Sequence, residues 1–291
     1  MASARRRDFP DPPPFEIPTD HVVVEIRADP TRIGGRLVKQ DGVESSYVDL
    51  ADPTHLEFEY LRHLAALVDL THPRKDPVNV VQIGGGPCVF ARYLGATRKA
   101  GRTIVIERDA GVIDVAREWL CLSDTPRLEV RIGDGRAELR TLPDASTDVV
   151  MIDAFSGIVV PHELLTIEFL DEGTRLLRPG GLWVINLIDI PELGMTRAVV
   201  ATLTARFEHV LLVADAAVLE HRSSGNVLLV ASDRPLPSDM LAAVVRSDTS
   251  PWEVLTGRRI ERFSSGAAPL RDAVEPDHEL ARLSPIWGRR S

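Results

Sequence analysis

The chain has 291 residues, 34 Lys and Arg against 43 Asp and Glu for a formal net charge of −9, and two cysteines. That length supports an α/β domain with an extension and a core that needs no disulfides. Cys88 and Cys121 lack any CxxC or Cys/His spacing, which argues against structural zinc and for a reducing compartment, expected to be the cytoplasm. The acidity disfavours broad nucleic-acid binding and suits a cationic ligand, and no apolar run approaches the roughly 18 to 20 residues of a membrane helix.

Residues 1–20 read as a mobile, proline-rich arm, because no apolar stretch follows the early arginines. "HVVVEIRA", "RIGGRLVKQ" and "ESSYVDLA", separated by "DPT" and "DG" turn signals, predict a small antiparallel β unit over 21–53. Leu56, Leu61, Leu64, Leu67 and Val68 then repeat one helical face, with Thr54 as the expected N-cap. From Asn79 onward "VNVVQIG", "RTIVIER", "LEVRIGD", "DVVMIDA" and "GLWVINLI" alternate with helix-forming stretches. This predicts a parallel sheet with helices on both faces. "HVLLVADAAVL" and "NVLLVASD", joined by "EHRSSG" without a helix, predict an antiparallel hairpin at the sheet edge. The main domain is thus expected over 54–235, with a helix ("SDMLAAVVR") and a tail over 236–291. Five parallel strands and such a hairpin resemble the class I S-adenosylmethionine-dependent methyltransferase fold, a Rossmann-like architecture.

Open parallel sheets bind ligands beyond the carboxyl ends of their strands, so the residues just after each run carry the functional signal. The first run ends in Gly84, Gly85 and Gly86, which allow close approach of a ligand to the main chain. The second ends in Glu107, about 20 residues further on, where an acid can accept from both ribose hydroxyls. The third ends in Asp134 and Gly135, placed to receive an adenine amino group, and the fourth in Asp153 at the pocket mouth. Each alone is as well explained by a tight turn or a solvated strand end. Three successive strands ending in a glycine turn, an acid and an acid are what adenosine recognition requires. NAD fits less well, because "GGGPCV" lacks the third glycine of G-x-G-x-x-G.

From about Val22 to Asp233, "DGVESSYV", "EFEY", "GGG", "IERD", "IGDG" and "MIDAFSG" occur in an order that resembles the polyamine aminopropyltransferases, the spermidine and spermine synthases. The resemblance implies transfer from decarboxylated S-adenosylmethionine to an amine or polyamine. It implies ribose binding by Glu107, an adenine-side role for Asp134, deprotonation of the amine by Asp153, and no metal. It also places Tyr60 and Ser156 near the substrate and implies a homodimer, while Asn186 and Asp189, at the end of the fifth run, are expected to line the acceptor side. The chain departs from the family pattern at several points. Pro87 stands where the family has an aspartate, Ser156 and Gly157 replace the second acid and the proline of "DSSDP", Ser45 replaces a glutamine, and Leu61 a histidine. Asp49, Asp52, Glu57 and Glu59 are candidate substitutes for the absent acids. His162 could act as base or gate, and Cys88 as a helix-capped thiol, although surface and core roles are the commoner ones for such residues. Two further readings follow: methyl or other alkyl transfer from intact S-adenosylmethionine, and a non-catalytic nucleoside-binding or interaction protein on the same fold.

Overall fold

The structure, a computed structural model, describes residues 9–247 and 251–273. An N-terminal sheet of β1 (Ile17–Pro18), β2 (Val23–Ala28), β3 (Gly35–Gln40) and β4 (Val43–Asp49) is antiparallel throughout. Its inward residues Val24, Ile26, Val38 and Val48 share one apolar cluster with α1 (Glu59–Thr71). This helix begins later than its apolar spacing suggests. Thr54 is held in a turn by Asp52, whose carboxylate accepts from its amide and hydroxyl, and Phe58 occupies the N-cap without a side-chain bond.

The main sheet takes the order β12-β10-β11-β9-β8-β5-β6-β7. Its parallel part comprises β5 (Val80–Ile83), β6 (Thr103–Glu107), β7 (Leu128–Ile132), β8 (Thr147–Ile152) and β9 (Leu177–Asp189). Every residue of β5 and β8 is buried, which is why these strands read as continuous apolar runs. Strand alternation divides the core in two. Val80, Val149, Met151 and Val184 face the cluster under α1, α2 (Val89–Thr97) and α3 (Ala110–Trp119). Val81, Val150, Ile152 and Trp183 face the cluster under α4 (Gly135–Arg140), α5 (Ile167–Thr174) and α6 (Gly194–Thr204).

The expected hairpin is β10 (His209–Asp215) with β11 (Gly225–Ser232), antiparallel over Val210 to Ala214. The strand ends at Asp215, and Ala216–Leu219, expected to continue it, form a short helix, α7, capped by Asp215 ahead of the polar turn. Beyond Pro235, α8 (Ser238–Arg246) forms as predicted. The predicted tail also contributes β12 (Trp252–Thr256), which pairs antiparallel with β10 and extends the sheet past the hairpin, and α9 (Arg258–Phe263). Trp252 and Leu255 supply the burial that a five-residue strand needs, too short a signal to stand out among loop residues. Asp272 then accepts from Arg136 at 2.8 and 2.9 Å and from the Thr166 hydroxyl at 2.6 Å, fastening that segment to α4 and α5.

The arm expected to be mobile is docked over its described part. Arg36, buried at 4 %, donates to the Pro10 carbonyl at 2.9 Å, and β1 lies along β2.

Asp189, expected on the acceptor side, is instead fully buried and structural. Its carboxylate accepts from the Ile190 amide at 2.9 Å, the Thr196 amide at 2.8 Å and the Thr196 hydroxyl at 2.7 Å, fixing the entry to α6. Replacing it strands buried donors, so D189A is expected to lower unfolding free energy by about 2–4 kcal/mol in urea denaturation.

Candidate active site

Strand order reverses at β5, which lies between β6 and β8, and ligand crevices open at such points. The chain leaves β5 through Gly84 at φ +76°, and a Cβ there would stand 2.4 Å from Ala154 Cα and 2.5 Å from the Asp153 carbonyl oxygen. Only glycine allows the turn after β5 and the loop after β8 to meet this closely. A Cβ on Gly85 would strike Val105 at 2.2 Å. Gly86 has free space on its Cβ side, bounded by Gln40 Nε2 and Ser46 Oγ, each at 3.8 Å.

Beyond these strand ends lies a cavity of about 410 Å³. Ten of the residues singled out from sequence line it: Gly84, Gly85, Gly86, Glu107, Asp134, Gly135 and Asp153, with Tyr60, Ser156 and Asn186. Residues far apart in the chain are brought together because each sits at the same edge of one sheet or on the element covering it.

Glu107 does more than end a strand. Its Oε2 accepts from the amides of Gly85 at 3.0 Å and Gly86 at 3.1 Å, and its Oε1 from the Asp109 amide at 3.1 Å. A carboxylate offers about four acceptor positions, so three are engaged by main chain. About one acceptor position is left for any other donor. Asp134 combines both of its alternative readings: it caps α4 by accepting from the Ala137 amide at 2.8 Å, and it lines the cavity.

Asp153 is held from two sides. The Asn186 amide donates to Oδ1 at 2.9 Å and the Tyr60 hydroxyl to Oδ2 at 3.1 Å. Burial pushes its carboxyl up to about 6, against the opposing pull of these two hydrogen bonds. Burial and the adjacent Asp153 drive the Tyr60 phenol well above its ordinary value, so it stays protonated as a donor. Asn186 is 2 % exposed, and with its amide nitrogen committed to Asp153, its carbonyl Oδ1 has no partner among the described residues. A buried acceptor without a donor is costly, and this one belongs to a side chain of the cavity wall.

Other sequence candidates sort clearly. Glu59 lines the cavity, whereas Asp49 pairs with Arg32, Asp52 holds Thr54 and Glu57 pairs with His55. Cys88 is fully buried and its thiol is pushed up to about 12 by burial, which removes the activated-thiol reading. His162 is outside the cavity lining, with Nε2 at 3.0 Å from the Arg271 carbonyl oxygen. Sequence reasoning missed Gln40, Asp41 and Glu44 at the β3–β4 turn, and Glu163 after the Asp153 loop. The "DG" turn was visible, but nothing local shows that it faces a pocket. Together with Glu59, Glu107, Asp109, Asp134 and Asp153 these acids share the lining with one arginine, Arg108, among the described residues. Such a cavity focuses a negative potential and favours a cationic ligand. Among the described residues, no group of three or more His, Cys, Asp and Glu side chains is placed to hold a metal ion, and no helix is long and apolar enough to cross a membrane.

A methyltransferase-like sheet carrying an acid-lined crevice at its switch point defines the class. Within it, the family model described as the spermine/spermidine synthase domain matches residues 57–219. The chain belongs to that family. It is 30 % identical over 142 residues to a polyamine aminopropyltransferase of Chromobacterium violaceum, covering 48 % of this chain and 53 % of the relative. It is also 30 % identical over 154 residues to spermidine synthase 1 of Pisum sativum, covering 51 % and 43 %. The match thus spans about half the length of these curated relatives. Among solved structures, a probable spermidine synthase from Corynebacterium glutamicum superposes with a TM-score of 0.84 at 31 % identity, over 92 % of this chain and 99 % of that one. Human methyltransferase-like protein 13 in complex with SAH shares the fold, with a TM-score of 0.54 at 20 % identity over 78 % and 99 % of the two chains.

Replacing Glu107 removes the anchor of the glycine turn and, on the sequence reading, the expected ribose acceptor. E107A is expected to weaken methylthioadenosine binding by about 1.5–3 kcal/mol in a calorimetric titration.

Proposed function

We propose that this protein transfers the aminopropyl group of decarboxylated S-adenosylmethionine to a small amine, with Asp153 as the general base. One observation carries the reading: a half-buried carboxyl raised to about 6 by desolvation, fixed by Asn186 and Tyr60, beside a glycine turn in an acid-lined cavity. The relatives named as spermidine synthases and polyamine aminopropyltransferases support the same assignment.

An aliphatic amine, with a pKa near 10.4 for a lysine-like group, reaches the cavity as a cation. The surrounding carboxylates attract that cation, and Asp153 removes a proton to free the nitrogen lone pair. The nitrogen then attacks the carbon attached to the sulfonium, the C–S bond breaks, and neutral methylthioadenosine leaves. Asn186 Oδ1, without a partner among the described residues, offers a second acceptor to the amine while its amide nitrogen holds the base in position. Glu59 and Glu163 supply negative charge in the place of the family's second loop acid, whose position Ser156 occupies on the exposed side of the Ser156–Val159 bridge.

One observation favours a second reading, with intact S-adenosylmethionine as donor. Buried Pro87 follows the glycines, and the groups nearest the open side of Gly86 are the Gln40 amide and the Ser46 hydroxyl. Both can donate to a carboxylate. Side-by-side titration with the two donors and methylthioadenosine decides: tighter binding of the decarboxylated form supports aminopropyl transfer, tighter binding of the intact form supports methyl or other alkyl transfer, and binding of none sinks both.

The raised Asp153 fixes a pH dependence. As a base it is active only when ionised, so kcat/KM is expected to rise with pH through about 6 and to level above it. Because the Tyr60 hydrogen bond lowers this pKa, Y60F is expected to move the rising limb to higher pH. D153N is expected to lower kcat by roughly 10²–10⁴-fold while leaving donor affinity within a few-fold, measured by steady-state kinetics and calorimetry.

A further inference from the structure

The segment between β1 and β2 borders the cavity, and one carboxylate holds it there. Asp109, 3 % exposed, caps α3 by accepting from the Val112 amide at 3.2 Å, a role sufficient to explain an aspartate at that position. Yet most of its hydrogen bonds go to the N-terminal arm. Its Oδ2 accepts from the Thr19 hydroxyl at 2.7 Å and the His21 amide at 2.9 Å, and its Oδ1 from the Asp20 amide at 3.3 Å.

A second feature of α3 is fitted to the same segment. A Cβ on Gly111 would lie 2.8 Å from Thr19 Cβ and 3.2 Å from Thr19 Cα, so the arm packs here only against a residue without a side chain. His21 and Val22 line the cavity together with Asp109 and Val112. The Asp109 amide in turn donates to Glu107 Oε1, and Glu107 Oε2 holds the amides of Gly85 and Gly86. A continuous hydrogen-bonded chain therefore runs from the glycine turn through two carboxylates to the arm.

We propose that Asp109 is a positioning residue that clamps residues 19–22 at the nucleoside end of the cavity, so that docking of this segment and occupation of the site at Glu107 favour one another. The coupling rests on the nucleoside reading given above, whereas the clamp does not. A ligand that touches His21 or Val22 binds fully only when the segment is docked, and its apparent affinity falls with the docked fraction. By linkage, the same ligand raises that fraction.

The experiment is hydrogen exchange on the full chain, with and without methylthioadenosine, combined with calorimetry of that nucleoside and steady-state kinetics in the donor. G111A pushes Thr19 away while leaving every acceptor of Asp109 in place; D109N withdraws acceptors without changing shape; T19S keeps the hydroxyl as a conservative control. In G111A and D109N the Thr19 and His21 amides are expected to exchange roughly tenfold faster. In both, the Kd for methylthioadenosine and the donor KM are expected to rise roughly five- to thirtyfold with kcat unchanged, while T19S stays near the parent values. Unchanged exchange in G111A and D109N refutes the clamp. Faster exchange with nucleoside affinity within twofold refutes the coupling and leaves the arm a purely structural appendage. If the parent protein itself does not bind methylthioadenosine, the nucleoside reading falls and the coupling with it, while exchange at His21 still decides the clamp.

Discussion

The organisation of the site depends on the Glu107 carboxylate. It ends β6, accepts from the two glycine amides that follow β5, and accepts from the amide that leads into α3. A carboxylate accepting several main-chain donors is a strong, directional fastening. Without it the glycine turn has no partner for two of its amides, and the cavity wall next to β5 loses its shape. The group proposed to meet a ligand is thus also the group that shapes the wall around it.

Opposite this anchor stands a carboxyl that the fold makes uncomfortable. Asp153 is raised to about 6 by burial, so its folded pKa lies above its ordinary value. The sign follows directly: its contribution favours folding below its ordinary pKa and is lost as pH rises through about 6. At neutral pH the protein therefore retains an ionised group at some cost in stability. Hydrogen bonds from Asn186 and Tyr60 limit that cost and fix the carboxylate's orientation. Such an arrangement fits a group kept for its chemistry, since no cation pairs with it among the described contacts.

Much of the fold was legible because the signals are local. The runs that became β5 and β8 are buried along their whole length and β6 and β9 along most of theirs, and such burial imposes an apolar sequence wherever it occurs. The strand ends carrying Gly84, Glu107, Asp134 and Asp153 could be found by position alone, because a parallel sheet sends all its carboxyl ends to one edge. Other features carried weaker signals. β12 has only Trp252 and Leu255 to mark it, α7 spans four residues, and Thr54 resembles a cap yet is captured by Asp52 two residues earlier. Asp189 was misplaced because an acid that caps a helix and an acid that faces a substrate look alike in sequence.

The sequence by itself determined the α/β class, the alternation of strands and helices, the antiparallel N-terminal unit and the acids that end successive strands. These follow from periodicity and turn chemistry within short windows, where each residue's neighbours in the chain are its neighbours in space. Tertiary structure alone decided that Asp41, Glu44 and Glu163 join those acids around one cavity, that Asn186 and Tyr60 grip Asp153, and that Thr19 rests on Gly111 beneath the carboxylate of Asp109. Those contacts join residues tens of positions apart. Their existence, and the burial that raises Asp153, depend on how whole elements pack, which no local pattern of residues encodes.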